Sequence, residues 1–121
     1  MKNKDFIDFI INHKNIDKNA NLLVCSEKCK GSIFKIAQNY KLKEIQLIYS
    51  DNKELIYGVA LDEIKYLIKH LKEFKEDYKV VFYYQQSMFS SIENVGQFIE
   101  LKNIDNDLCI LVNNNLLGEN K

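Results

Sequence analysis

Arginine, proline and tryptophan are absent from this sequence, and lysine carries all of its side-chain positive charge at neutral pH. Without arginine, the chain lacks the planar side chain that binds phosphate, carboxylate or guanine through paired hydrogen bonds. The formal net charge is +0, so no overall field attracts nucleic acid or an anionic membrane. We therefore expect neither nucleic acid nor a membrane as a partner. The abundance of Lys, Asn and Ile is typical of an AT-rich coding sequence.

Long apolar runs are also missing, since no run approaches the ~20 residues that a membrane helix needs. The first residues, MKNKDFIDFIINHK, are interrupted by Asp5 and Asp8 and so do not resemble a signal peptide. The 121 residues, of which 46% are hydrophobic, predict a single globular domain over residues 1–121. We expect this domain to be cytoplasmic.

Helical spacing of apolar residues predicts three helices. The first covers residues 4–13. The second follows Ser32, a candidate N-cap, and covers residues 33–40. The third covers residues 61–74, where Tyr66 lies roughly 140° from the centre of the Leu and Ile stripe at about 100° per residue. Tyr66 should therefore face solvent.

Continuous runs of apolar and β-branched residues predict the strands. The runs 44–50 and 54–60 flank the turn residues 51–53, which would join them as an antiparallel hairpin. Residues 80–84 should form a central strand that packs against the helix at residues 61–74. The predicted strands are residues 22–25, 44–50, 54–60, 80–84 and 108–112.

The segment before the last strand can be read in two ways. Ser90 and Glu93 have the spacing of a capping box, which predicts a further helix. Alternatively, residues 97–102 form the first strand of a hairpin with residues 108–112. Either way, we predict an α+β fold with a single mixed sheet of about five strands, covered by three to four helices.

The three cysteines, Cys25, Cys29 and Cys109, do not form the pattern of a metal site. Zinc sites usually need four ligands in two close pairs, whereas this chain offers one C-x3-C, a distant cysteine and two lone histidines. We therefore expect no metal and no cofactor. Apolar neighbours predict that Cys25 and Cys109 are buried, and charged neighbours predict that Cys29 is the more exposed thiol.

The stretch from residue 22 to residue 34 supports an alternative function. An apolar run ends at Cys25, and Cys29, Lys30 and Ser32 follow before a predicted helix. This layout resembles the phosphate-binding loop of low-molecular-weight phosphatases and of the phosphocysteine carriers of sugar transport systems. In those families, backbone N–H groups at a helix N-terminus hold the phosphate and lower the thiol pKa. The resemblance implies a small cysteine-dependent enzyme with Cys25 as nucleophile, although the phosphatase arginine and the Asp-Pro acid loop are absent.

Aromatic and uncharged polar residues are concentrated around the end of the predicted strand at residues 80–84. Tyrosine and methionine are enriched at protein interfaces, and charge is depleted from interface cores. Connections between elements are also common places for recognition. The predicted interface residues are Tyr66, Tyr83, Tyr84, Gln86, Met88 and Phe89.

These features favour a small protein-binding module rather than an enzyme. By analogy with proteins of this size and class, we expect an inhibitor or neutraliser of a protein partner, of the immunity-protein or phage and mobile-element anti-defence type. It would act by steric occlusion, with lysines and glutamates setting the orientation and tyrosines supplying buried area. The alternatives are the Cys25 enzyme and a structural subunit of a larger assembly.

Overall fold

The computed structural model describes residues 1–113 and shows a mixed α/β protein with one six-stranded sheet and three helices. Each strand is hydrogen-bonded to the next strand along the chain, and β1 also pairs with β6, so that the sheet closes into a barrel. The elements are α1 (Asn3–Asn12), β1 (Asn21–Cys25), β2 (Lys30–Asn39), β3 (Glu44–Ser50), α2 (Lys53–Ile56), α3 (Ile64–Leu71), β4 (Lys79–Tyr84), β5 (Glu93–Ile104) and β6 (Asp107–Asn113).

Two of the strand pairs are parallel, namely β3 with β4 and β1 with β6, and the others are antiparallel. Parallel neighbours need a long crossover, and α2 and α3 lie in the one between β3 and β4. As a result, Ser50 and Tyr84, the last residues of β3 and β4, lie at the same end of the barrel. We call this end, where Cys25 also completes β1, the loop end.

The main core contains apolar side chains from all six strands and from α1 and α3. Leu67 and Leu71 of α3 are fully buried in it together with Val80 and Phe82 of β4. The third helix and the strand at residues 80–84 therefore share one core, as predicted, and α1 lies against both of them. Tyr66 is 44% exposed, as its position on the helix predicted.

A second, smaller cluster lies on the opposite face of β3 and β4 and contains Ile48, Val81 and Tyr83. Because it covers the second face of β3, all seven residues of that strand are buried. The hydroxyl of Tyr83 donates a 2.6 Å hydrogen bond to the buried carboxylate of Glu44. Burial, and then this carboxylate, raise the pKa of Tyr83 to about 12. Tyr83 is therefore a structural residue and not part of an exposed interface.

The first and third predicted helices are confirmed. The helix expected over residues 4–13 is α1, and the one expected over residues 61–74 is the shorter α3. Within residues 1–113, no helix is long and apolar enough to cross a membrane.

Residues 33–40, predicted as a helix, lie mainly in strand β2. Gly31 does not lead into a helix: a Cβ atom there would overlap the carbonyl oxygen of Ser50, so glycine allows β2 to approach β3. A β-bulge then adds one residue to β2, so that Ile33 and Ile36 both contact the main core. The resulting spacing of three residues imitates one face of a helix.

Residues 54–60, predicted as the second strand of a hairpin, instead contain most of α2 and a turn. Asn52 caps α2, since its side-chain oxygen accepts a 2.9 Å hydrogen bond from the backbone N–H of Glu54. Gly58, with φ of 76°, then turns the chain. Strand β3 therefore pairs with β2 and β4 and not with the residues that follow it.

The helix predicted from the spacing of Ser90 and Glu93 is also wrong, because strand β5 begins at Glu93. The alternative hairpin is confirmed: residues 97–102 of β5 pair antiparallel with β6, which includes residues 108–112. The sheet therefore has six strands where about five were expected, and residues 1–113 contain three helices.

Candidate functional site at the loop end of the barrel

Hydrogen bonds hold the connections that follow β3 and β4 side by side at the loop end. The side-chain amide of Asn52 donates to the carbonyl oxygen of Gln86 at 3.0 Å. The backbone N–H of Gln85 donates to the carbonyl oxygen of Tyr49 at 3.1 Å, which continues the β3–β4 pairing past the end of β4. Because Asn52 also caps α2, one side chain fixes both connections.

The connection between β1 and β2 joins the same end. The hydroxyl of Ser26 is hydrogen-bonded to the phenol of Tyr49, whose pKa is raised by burial. The ammonium of Lys28 lies 2.5 Å from the carboxylate of Glu93, at the start of β5. The loop end is thus built from connections that are distant in sequence.

A tight turn in the β4–β5 connection presents two exposed apolar side chains at this end. The backbone N–H of Ser87 donates to the hydroxyl of Ser90 at 2.8 Å, and that hydroxyl donates back to the Ser87 carbonyl oxygen at 2.9 Å. The side-chain amide of Gln85 also donates to this carbonyl oxygen at 2.9 Å. The turn leaves Met88 60% exposed and Phe89 96% exposed.

A second exposed aromatic residue follows α2. Tyr57 is 89% exposed and Val59 is 53% exposed, in the turn that contains Gly58. Tyr57 is not among the predicted interface residues, because residues 54–60 were predicted as a strand. Gly58 was the available signal, since glycine inside an apparent strand often marks a turn or bulge.

The structure brings together four of the six predicted interface residues. Tyr84 is half-buried, with its ring centroid 5.7 Å from that of Tyr49, and Gln86 is exposed beside it in the chain. Met88 and Phe89 complete this group. Tyr83 is buried on the opposite face of β4, because successive side chains of a strand alternate. Tyr66 lies on α3, where the ammonium of the neighbouring Lys65 is 5.1 Å from its ring centroid.

The residues of the alternative cysteine loop lie in a strand, a turn and a second strand. Cys25 ends β1, and Lys30 begins β2 with its ammonium 3.2 Å from the carboxylate of Asp107. Ser32 lies within β2 opposite Ser50. The strand–loop–helix layout that the resemblance requires is therefore missing, because the segment after Cys29 is extended.

The thiols do not have the environment of a nucleophile. Burial and a hydrogen bond to Cys109 raise the pKa of Cys25 to about 12, and burial raises that of Cys29 to about 11. Cys109 is fully buried, as predicted, but Cys25 and Cys29 are both half-buried. The expectation that Cys25 is buried is wrong, and the structure gives no reason for Cys29 to be labelled first.

Residues 1–113 contain no group of three or more His, Cys, Asp or Glu side chains that could hold a metal ion. Comparison of the chain with protein-family models, curated proteins and solved structures found no match.

Proposed function

We propose that this protein is a protein-binding module and that the loop end is its interface. The observation that carries the proposal is the turn at residues 87–90, which exposes Met88 and Phe89 while hydrogen bonds between Ser87 and Ser90 close it. Exposed apolar side chains on a connection are typical of recognition, since the fold gains little from them.

The turn is also preorganised. Association costs free energy for every side chain or loop that must be ordered on binding. Here the hydrogen bonds within residues 85–90, and the bond from Asn52 to Gln86, fix the connection before a partner arrives. A larger share of the free energy gained by burying Phe89 would therefore contribute to the affinity.

The shape of the surface favours inhibition by occlusion. A protruding Met-Phe turn is suited to a concave apolar site, and an enzyme's active-site cleft is such a site. We therefore propose that the protein neutralises its partner by inserting this turn into a cleft, as an immunity or anti-defence protein would. The charged residues of the loop end carry both signs, four acidic and three basic, so they would set the orientation of a partner. They are Glu27, Lys28, Lys30, Asp51, Lys53, Glu54 and Glu93.

The test begins with capture of a stoichiometric partner from the native host by the tagged protein, followed by purification of that partner. We expect Phe89→Ala to weaken its affinity by about 2 kcal/mol or more, roughly 30-fold, with Met88→Ala following the same direction. Calorimetric titration gives the affinities, and thermal melting should show that both variants remain folded.

Leu42→Ala is the matched control, because Leu42 is 54% exposed in the turn that precedes β3, at the other end of that strand. Its affinity should equal that of the unaltered protein. If all three variants bind the partner as tightly as the unaltered protein does, the interface lies elsewhere on the protein.

A further inference from the structure

A second candidate site is a cleft of about 260 Å³ beside β2, which begins near the loop end, where Val59 lines it, and continues along the strand. Its walls are mainly apolar and include Ile36, Leu61 and Phe74. Lys35 and His70, both exposed, also line it, and the carboxylate of Glu73 lies 3.8 Å from Nδ1 of His70, which leaves Lys35 as the basic group of the lining. An apolar cleft with a few polar groups is the usual form of a ligand site.

The backbone of β2 is unusual along this cleft. Leu61 forms an antiparallel bridge with Ile33 and donates its backbone N–H to the Ile33 carbonyl oxygen at 2.8 Å. Further along β2, the strand pairings recorded within residues 1–113 involve β3 alone. The second edge of β2 is therefore occupied at Ile33 and has no strand neighbour beyond it in this part of the chain.

The strand register shows which backbone groups lie on that edge. Tyr49 accepts a hydrogen bond from the residue after β4, so its backbone groups point towards β4, and those of Ile48 point towards β2. Ile48 is paired with Lys35, whose groups therefore point towards β3. The next residue, Ile36, must present its N–H and C=O to the opposite edge, which borders the cleft.

We propose that this cleft binds a short extended peptide from a partner protein, which adds to β2 as a strand and places an acidic side chain near Lys35. In strand addition, main-chain hydrogen bonds supply affinity and pockets for alternate side chains supply specificity. The protein already uses this edge in the same way for Leu61. The inference is independent of the proposed interface at the loop end.

The two ends of the cleft limit the length of the peptide. The bridge from Leu61 closes one end, and the backbone N–H of Lys75 closes the other by donating to the side-chain oxygen of Gln38 at 2.9 Å. The intervening part of β2, residues 34–37, accommodates about four residues of an added strand at ~3.4 Å each. The partner segment is therefore brief, and we expect modest affinity.

Nuclear magnetic resonance of ¹⁵N-labelled protein tests the proposal with acetylated and amidated tetrapeptides. The probes are Val-Glu-Leu-Val and analogues with Leu or Phe at the apolar positions, and each has a matched form that is N-methylated at both central residues. We expect saturable shifts of the Lys35 and Ile36 amide signals with the acidic peptides. The N-methylated forms should not bind, because they lack the main-chain donors of both central residues.

Charge reversal supplies the second arm of the experiment. Lys35→Glu should weaken binding of the acidic peptide roughly tenfold and should strengthen binding of an analogue in which Glu is replaced by Lys. The control, Lys41→Glu, changes an exposed lysine in the β2–β3 turn and should leave both affinities unchanged. The absence of saturable shifts at Ile36 with every peptide, or equal binding of the N-methylated forms, would overturn strand addition.

Discussion

Cys25 and Cys29 show how the surroundings of a residue decide its chemistry. The sequence places both among features that suggest a reactive thiol, with a preceding strand and a neighbouring lysine. In the structure each thiol is half-buried, and loss of hydration disfavours the charged thiolate. Lys30, which could have stabilised a thiolate, is paired with Asp107.

We therefore predict slow alkylation of both thiols. Burial raises the pKa of Cys29 from an ordinary 9.0 to about 11, so at pH 8 its thiolate fraction is roughly 100-fold below that of an unperturbed cysteine. The rate of labelling by iodoacetamide, compared with that of a cysteine peptide, measures this difference for Cys29 in Cys25→Ser protein and tests Cys25 in Cys29→Ser protein. Fast labelling below pH 8 would contradict the prediction, and fast labelling of Cys25 would restore the cysteine-enzyme hypothesis.

The same pKa shifts couple to stability. In the unfolded chain these thiols lose their protons near pH 9, whereas in the folded protein they keep them to higher pH. The unfolded state then binds fewer protons than the folded state, so the free energy of unfolding falls as the pH rises above 9.

Among the elements, the long strand β2 explains why a helix was predicted there. It contains a β-bulge, and a bulge changes the spacing of core-facing residues from two to three. In β5 the helix was predicted from the capping-box spacing of Ser90 and Glu93, but Val95, Phe98 and Leu101 also contact the main core at a spacing of three. Apolar periodicity alone cannot distinguish this pattern from one face of a helix.

The strands without internal bulges were predicted correctly, because no extra residue disturbs the spacing of their core-facing side chains. The runs at residues 22–25, 44–50, 80–84 and 108–112 correspond to β1, β3, β4 and β6. Of the candidate site, Met88 and Phe89 could be found because their connection is uncharged. Tyr57 could not be found, because its exposure depends on the turn after α2. The apolar pattern of residues 54–60 predicted a strand there.

Gly31 allows a prediction about the pairing of β2 with β3. An added Cβ would overlap backbone atoms of Ser50 and approach the backbone nitrogen of Asp51 to 2.9 Å, so Gly31→Ala must displace one strand. We expect a loss of about 3 kcal/mol, at the upper end of the cost of overpacking, measured by urea unfolding.

Gly58→Ala is the comparison for this variant, because a Cβ there meets nothing within 4 Å and only the positive φ of 76° opposes it. Its loss should be about 1 kcal/mol. If Gly31→Ala costs no more than Gly58→Ala, the close approach of β2 and β3 does not constrain the fold.

At the scale of the whole molecule, the parallel pairing of β3 with β4 positions the loop end. Two antiparallel strands in a hairpin, as first expected for residues 44–60, would have placed one connection at each end of the sheet. The crossover through α2 and α3 instead returns the chain, so that the connections after Ser50 and Tyr84 emerge together. The candidate interface is thus a consequence of topology rather than of any one segment.

The N-terminal segment is integrated into this architecture. The carbonyl oxygen of Met1 accepts a 2.9 Å hydrogen bond from the backbone N–H of Val80, and Lys2 forms a bridge with Lys79. The segment therefore extends the edge of β4 before α1 begins. Phe6 of α1 then packs between strands, with its ring centroid 6.2 Å from that of Phe82 and 5.1 Å from that of Phe98.

We expect Phe6→Ala to destabilise the whole protein by about 3–5 kcal/mol, because it removes a fully buried ring from the main core. Phe9→Ala is the matched control: it makes the same substitution on the same helix, but Phe9 is 38% exposed. It should cost about 1 kcal/mol. Urea unfolding followed by far-ultraviolet circular dichroism and by tyrosine fluorescence measures both losses. Coincident transitions would show that α1 and the barrel unfold together. An early transition confined to helical signal in Phe6→Ala would instead make α1 an appendage and not part of the cooperative fold.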